Sequence, residues 1–135
     1  AKWGVKGKFK ADKFPAALLL PMGKDGPAFL AYGNFTTAYL LWNESLVYST
    51  TAAYLATRIA GAGKLYAGNA EVHALSYKQI IELQNILVGK GYDVGEVDGK
   101  MGKATRAAVK DVQIKMGWPA DSYPTVEFLQ KLKQG

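Results

Sequence analysis

Cysteine is absent from this chain of 135 residues, and histidine occurs once, at His73. No disulfide framework and no thiolate chemistry can therefore operate. A single imidazole without thiolates cannot assemble a zinc ligand set, so no metal and no cofactor is expected. Long apolar runs are missing too. The longest, Ala16 to Leu20 closed by Pro21, is far too short to span a bilayer. No signal peptide is evident. The chain opens on Ala1-Lys2-Trp3, which reads as a mature form or a fragment. Arginine is scarce, with only Arg58 and Arg106 among 17 basic residues. Phosphate and base-edge recognition lean on arginine forks, so nucleic acid is not the expected partner; strong, salt-steep DNA retention would be needed to revive that reading.

What is present is a mixture able to fold: 49 % apolar and 21 % charged, with a net charge of +6. The charge is uneven, +5 over residues 1–66 and +1 over 67–135. A solvated lysine face explains such an excess, and attraction to an acidic polymer is the alternative. The length allows one ordinary domain or two small ones. Glycine-rich, weakly patterned sequence between Gly61 and Gly68 favours two, with segments 1–66 and 75–135 joined by a linker at 67–74.

In the first segment, FPAALLLP (14–21) and AFLAY (28–32) read as extended stretches. They flank MGKDGP (22–27), whose Asp-Gly-Pro marks a turn, so a hairpin is predicted. Gly33-Asn34 offers an N-cap before a short helix over 35–41. Asn43 or Ser45 can cap another over roughly 46–60, with Leu46, Ala53, Leu55 and Ile59 forming an inward stripe. The second segment predicts three helices. Ser76 and Gln79 form an S-x-x-Q capping box ahead of Ile80, Leu83 and Leu87, and Gly89 and Gly91 stop that helix. A helix from about Thr105 to Met116 carries Ala108, Val109, Val112 and Met116 on one face. A third starts at Ser122 or Thr125 and points Phe128, Leu129 and Leu132 inward. Tyr92, Trp118 and Tyr123 are expected to fill so small a core. A weak internal echo runs through the segment: Leu83-Gln84 leads to Gly91-Tyr92, and Val112-Gln113 leads to Gly117-Trp118.

Between the first two of these helices lies GYDVGEVDGKMGKAT. A calcium loop numbered back from Gly99 would begin at Val94 and reach Thr105 at its twelfth place, where acidic oxygens are required. A phosphate loop would need Ser or Thr after Gly102-Lys103, where Ala104 stands. The loop is therefore expected to aim helices, with Gly99 and Gly102 in conformations that a β-carbon disfavours.

The run Leu83-Gln84, Gly91-Tyr92, Asp98-Gly99, Gly102, Thr105, Ala108-Val109 and Gln113 resembles the three-helix peptidoglycan-binding module, with Val112 where that family usually has Phe. Upstream, Gly26 to Leu30, Asn34-Phe35, Trp42-Asn43-Glu44-Ser45 and Tyr48 are similar to the C-terminal part of the catalytic domain of membrane-bound lytic murein transglycosylase B-like enzymes. The resemblance implies a mainly α fold with a small β hairpin: part of a lysozyme-like catalytic domain, then a peptidoglycan-binding domain. It implies cleavage of the bond between N-acetylmuramic acid and N-acetylglucosamine, with a 1,6-anhydromuramyl product. It also implies a periplasmic or envelope location in a Gram-negative bacterium. Peptidoglycan and the upstream half of the catalytic domain are the implied partners, and a membrane would be reached only through an anchor on the parent enzyme.

The family's catalytic glutamate lies upstream of the matched region, so no catalytic residue is expected in this chain. Glu44, at a helix start where the dipole favours the carboxylate, is a poor substitute for an acid that must stay protonated. The resemblance places Trp42, Asn43 and Tyr48 at glycan-groove positions; helix capping by Asn43 and core packing by the two aromatics are the bland alternatives. Tyr92, Asp98, Arg106, Gln113 and Trp118 are candidate wall contacts, with a role in holding the bundle as the alternative for Tyr92, Gln113 and Trp118. A stand-alone wall-binding module without activity is the competing function.

Overall fold

The computed structural model describes residues 13–43, 45–66, 68 and 70–135. The chain divides into two compact units, residues 1–70 and 71–135. Glu44 lies outside the described residues. Among the described residues no helix is long and apolar enough to cross a membrane.

The first unit opens with the hairpin. Strands β1 (Ala16–Leu19) and β2 (Phe29–Tyr32) pair antiparallel, with Ala16 opposite Tyr32 and Leu19 opposite Phe29. The turn closes through Gly23 N–H to Leu20 O at 3.1 Å, with Gly23 at φ 74°. The chain then winds directly into helical conformation at Gly33, widening to a π-helix over Phe35–Leu40. Asn34 was the expected cap, but its own backbone is already helical (φ −64°, ψ −24°) and its side chain makes no capping bond. A cap needs extended backbone to aim its oxygen at the first free N–H groups, and Asn34 lacks it.

Helix α1 (Leu46–Ile59) is capped by Ser45, whose hydroxyl accepts from Tyr48 N. Arg58 stands in its last turn and donates to Ala62 O. The expected apolar stripe forms only in part. Leu46 and Ala53 are half-buried, whereas Leu55 and Ile59 lie open at 59 % and 80 % exposure. The buried positions are Ser49 and Thr50. Their hydroxyls return to backbone carbonyls, Ser49 to Tyr39 O and Asn43 O and Thr50 to Leu46 O, so burial leaves no bond unmade.

The second unit is a three-helix assembly of α2 (Tyr77–Gly89), α3 (Lys103–Lys115) and α4 (Val126–Gln134). The Ser76–Gln79 capping box forms in full. Helix α3 starts two residues before the expected Thr105, and Thr125, not Ser122, caps α4. Ser122 instead takes a left-handed φ of 63°. Leu83, Leu87, Val109, Phe128 and Leu129 are all at most 2 % exposed and form one cluster with Val94, Val112 and Leu132. Tyr92 and Trp118 pack on its edge, and Trp118 meets Phe128 edge-on with ring centres 6.2 Å apart.

Candidate functional site

The predicted site residues fall into two groups, one in each unit. In the first unit, the entry to α1 gathers Trp42, Asn43 and Tyr48. The rings of Trp42 and Tyr48 lie 5.4 Å apart at 46°, and both are more than half exposed. Asn43 Oδ1 accepts from Ser45 N at 2.8 Å, closing the turn that sets the cap. That oxygen is committed, so what Asn43 can offer a ligand is its Nδ2 donors. Local sequence explains the pairing: a capped helix start brings a residue before the cap close to one in the first turn.

A separate cleft, within the size range of small-ligand sites, carries no specific signal in the sequence. It measures about 450 Å³ and is lined by Leu19, Phe29, Phe35, Tyr39, Thr50 and Tyr54, among others. Phe29 meets Tyr54 edge-on and Phe35 stacks on Tyr39. The signal available in the sequence was aromatic density, without any indication of which aromatics would share a wall.

In the second unit the glycine loop is organised by Gln84, which is completely buried. Its Nε2 donates towards Glu96 O, Asp98 Oδ1, Lys100 O and Thr105 Oγ1 at 3.1–3.3 Å, and its Oε1 accepts from Gly99 N at 2.9 Å. Asp98 Oδ1 also accepts from Lys100 N at 2.9 Å. Thr105, the third residue of α3, donates to Val94 O from a buried position. Gly99 takes a φ of +70°, as expected of the loop. Gly102 does not: at φ −71°, ψ 179° it is ordinary extended backbone capping α3, and any residue could adopt it.

The sequence echo has a structural counterpart. Gln113, 3 % exposed, donates to Asp121 Oδ1 and Tyr123 O and accepts from Ser122 N. Asp121 Oδ1 accepts from Tyr123 N. Each buried glutamine therefore grips an aspartate, the residue after it in left-handed conformation, and the carbonyl beyond. Gln113 spends its amide inside this loop.

The other candidates are distributed around the unit. Tyr92 is half-buried; Lys115 Nζ donates to its hydroxyl at 2.7 Å and lies 4.8 Å from the ring centre. Tyr92 also lines a cleft of about 300 Å³ with Lys90, Met116 and Lys131. Arg106 is half-buried, and its Nε donates to Met101 O. Burial lowers its pKa, while the neighbouring Tyr123 and Asp121 oppose that shift. Among the described residues no cluster of acidic or imidazole groups could hold a metal ion.

The Lys100 N–H, and then the Gln84 amide, hold the Asp98 carboxyl below its ordinary value of 3.8. A carboxylate favoured by folding contributes stability above its unfolded pKa and loses it as pH falls through the lower folded pKa. The melting temperature should therefore decline below about pH 4, the ordinary carboxylate range, and Asp98→Asn should flatten that decline. An unchanged acid limb in thermal melts of Asp98→Asn would assign the decline to other groups.

Comparison with known proteins follows the same division. Residues 1–57 match the transglycosylase SLT domain family, and residues 76–132 match the peptidoglycan binding domain family. No curated protein matches the chain. The solved structure of SltB3 from Pseudomonas aeruginosa in complex with NAG-anhNAM-pentapeptide is similar at 43 % identity and a TM-score of 0.70, over 87 % of this chain and 32 % of that one. The same protein in complex with NAG-NAM-pentapeptide is similar at 44 % identity and 0.70, over 87 % and 31 %. The chain thus spans about a third of the length of the structures it resembles.

Proposed function

We propose that this chain, whose residues 1–57 match the transglycosylase SLT domain and residues 76–132 the peptidoglycan binding domain, binds bacterial peptidoglycan as part of a lytic transglycosylase acting in the cell envelope. The observation that carries the reading is the occurrence of both matches, in this order, in one chain that is similar to SltB3 over 87 % of its length. The assignment extends to residues 1–66 as the C-terminal part of the catalytic domain, 67–74 as linker and 75–135 as the wall-binding domain. A Gram-negative periplasm is the proposed setting.

In this reading the general acid comes from an upstream half of the catalytic domain. It would protonate the leaving oxygen between the two sugars, and the muramyl 6-hydroxyl would close on the anomeric carbon to give the 1,6-anhydro product. Such an acid must be kept protonated in a dry groove. The described part of the first unit contains no carboxyl in such a setting: Asp25 pairs with the Lys24 ammonium on the surface. What this unit supplies is a wall of the groove. Trp42 and Tyr48 present ring faces for a sugar, and Asn43 Nδ2 presents donors for its hydroxyl or acetamido oxygens. The open Leu41, Leu55 and Ile59 and the aromatic cleft around Tyr39 and Tyr54 are surfaces that an upstream half would cover.

The expected result is that residues 1–135 sediment with purified sacculi and release no 1,6-anhydromuropeptides detectable by mass spectrometry. Anhydro products from this chain alone would place the acid within it and make Glu44 the residue to mutate. Failure to sediment would remove the wall-binding reading.

A further inference from the structure

The second unit carries an exposed aromatic that the reading above does not use. Tyr77 is the first residue of α2, immediately after the Ser76 cap. It is 63 % exposed and is absent from the hydrophobic cluster of its own unit. Its ring is nevertheless braced. It lies over Gly99, so closely that a β-carbon there would come within 2.5 Å of Tyr77 Cδ2 and 2.9 Å of Cζ. One edge of the ring rests on the glycine turn while most of the side chain faces solvent.

The surroundings of that ring are polar and charged. Next to Gly99 on either side stand Asp98 and Lys100. Asp98 Oδ1 is spent on Gln84 and the Lys100 N–H, while Oδ2 faces the Lys100 ammonium at 3.6 Å. Lys100 is 81 % exposed. An open aromatic face resting on a turn that carries a carboxylate and an exposed ammonium, paired with each other, suits a pyranose, whose C–H face is apolar and whose rim carries hydroxyl and acetamido groups.

The paired construction of the unit sharpens the point. Arg106 stands seven residues before Gln113, as Tyr77 stands seven before Gln84. Seven residues are about two helical turns, so each side chain shares a face with its glutamine. In the second copy the position holds a half-buried guanidinium tied to Met101 O and facing Asp121 and Tyr123. The position serves packing there; in the first copy it presents an open ring.

We propose that Tyr77, braced on Gly99 and flanked by Asp98 and Lys100, is a sugar-stacking platform through which the second unit reads the glycan strand of the wall. This rests on the peptidoglycan-binding reading above. The test uses the whole chain, intact sacculi, and glycan strands stripped of their stem peptides by an amidase. Tyr77→Ala should weaken binding to both probes about tenfold, the scale of one lost aromatic contact, and Tyr77→Phe should stay within about twofold because the ring remains. The Tyr77 ring resonances of the unmutated chain should shift when stripped strands are titrated in, a readout independent of whether any variant folds. Binding by Tyr77→Ala at full strength, unmoved ring resonances, or equal loss in Tyr77→Phe would each overturn the platform. A chain that binds sacculi but ignores stripped strands would make the surface a peptide reader and overturn it as well. A chain that does not bind sacculi at all would instead remove the function proposed above, and this subsite with it.

Discussion

Gln84→Leu should cost the second unit about 4 kcal/mol, the sum expected for two or more buried polar groups left without partners at roughly 1–3 kcal/mol each. The side chain is fully buried and its amide reaches Glu96 O, Asp98 Oδ1, Lys100 O, Thr105 Oγ1 and Gly99 N. Leucine fills a similar volume, so the loss isolates hydrogen bonding from packing. A domain of this size holds on the order of 3–10 kcal/mol in total, at 0.05–0.15 kcal/mol per residue, so the variant should be marginally folded. Gln84→Glu provides the contrast. It keeps an acceptor for Gly99 N but replaces the two N–H donors, shared among four oxygens, with a carboxylate facing Glu96 O, Lys100 O, Thr105 Oγ1 and the ionised Asp98. It should therefore be at least as damaging at neutral pH and recover partly in acid, where protonation restores a donor. Urea melts of both variants at two pH values decide the matter. A Gln84→Leu protein within about 1 kcal/mol of the parent, the worth of a single net hydrogen bond, would show that the loop does not depend on this hub.

Gly99→Val should cost about 3 kcal/mol, at the upper end of the strain expected for a β-branched residue held in the left-handed region. Two effects coincide. Gly99 sits at φ +70°, and the space a side chain would enter is occupied by the Tyr77 ring. The ring belongs to an exposed side chain and can swing away, so the steric part falls on Tyr77 and the backbone strain remains. Binding to glycan strands should then fall by more than the loss of folded protein accounts for, because the platform loses its support. Gly102→Val is the matched control. With φ −71° and nothing within 4 Å of an added β-carbon, it should change stability by well under the Gly99 cost. Equal destabilisation at the two glycines would refute the assignment of strain to Gly99.

Much of the helical framework was legible in the residues. The Ser76 capping box, the glycine after α2, the Thr125 cap and the inward Leu83, Leu87, Val109 and Phe128 all lie within hydrogen-bond or face-sharing distance along the chain. The hairpin was legible for the same reason, because Asp25-Gly26-Pro27 and the flanking apolar runs are local signals. Asn43 was partly legible: it does shape the entry to α1, but by bonding Ser45 N and leaving the cap itself to Ser45.

The places where the structure departs from those expectations are non-local. Whether Leu55 and Ile59 are covered depends on what packs against α1, and periodicity records only that they share a helix. Gly99 and Gly102 look alike in sequence, yet only Gly99 is left-handed, because Gln84, fifteen residues earlier, draws its N–H inward. Gln113 read as a wall candidate, and its amide turned out to be engaged with Asp121, Ser122 and Tyr123. Tyr77 carried no signal beyond following a cap, since its brace lies more than twenty residues away. By itself the sequence determined where the helices and the hairpin form, and the Ser76 capping box, because those choices are made among neighbours within a turn or two. Only the tertiary structure decided which side chains are spent inside and which are left facing a ligand, because burial and hydrogen-bond partnership across a fold are settled by residues distant in the chain.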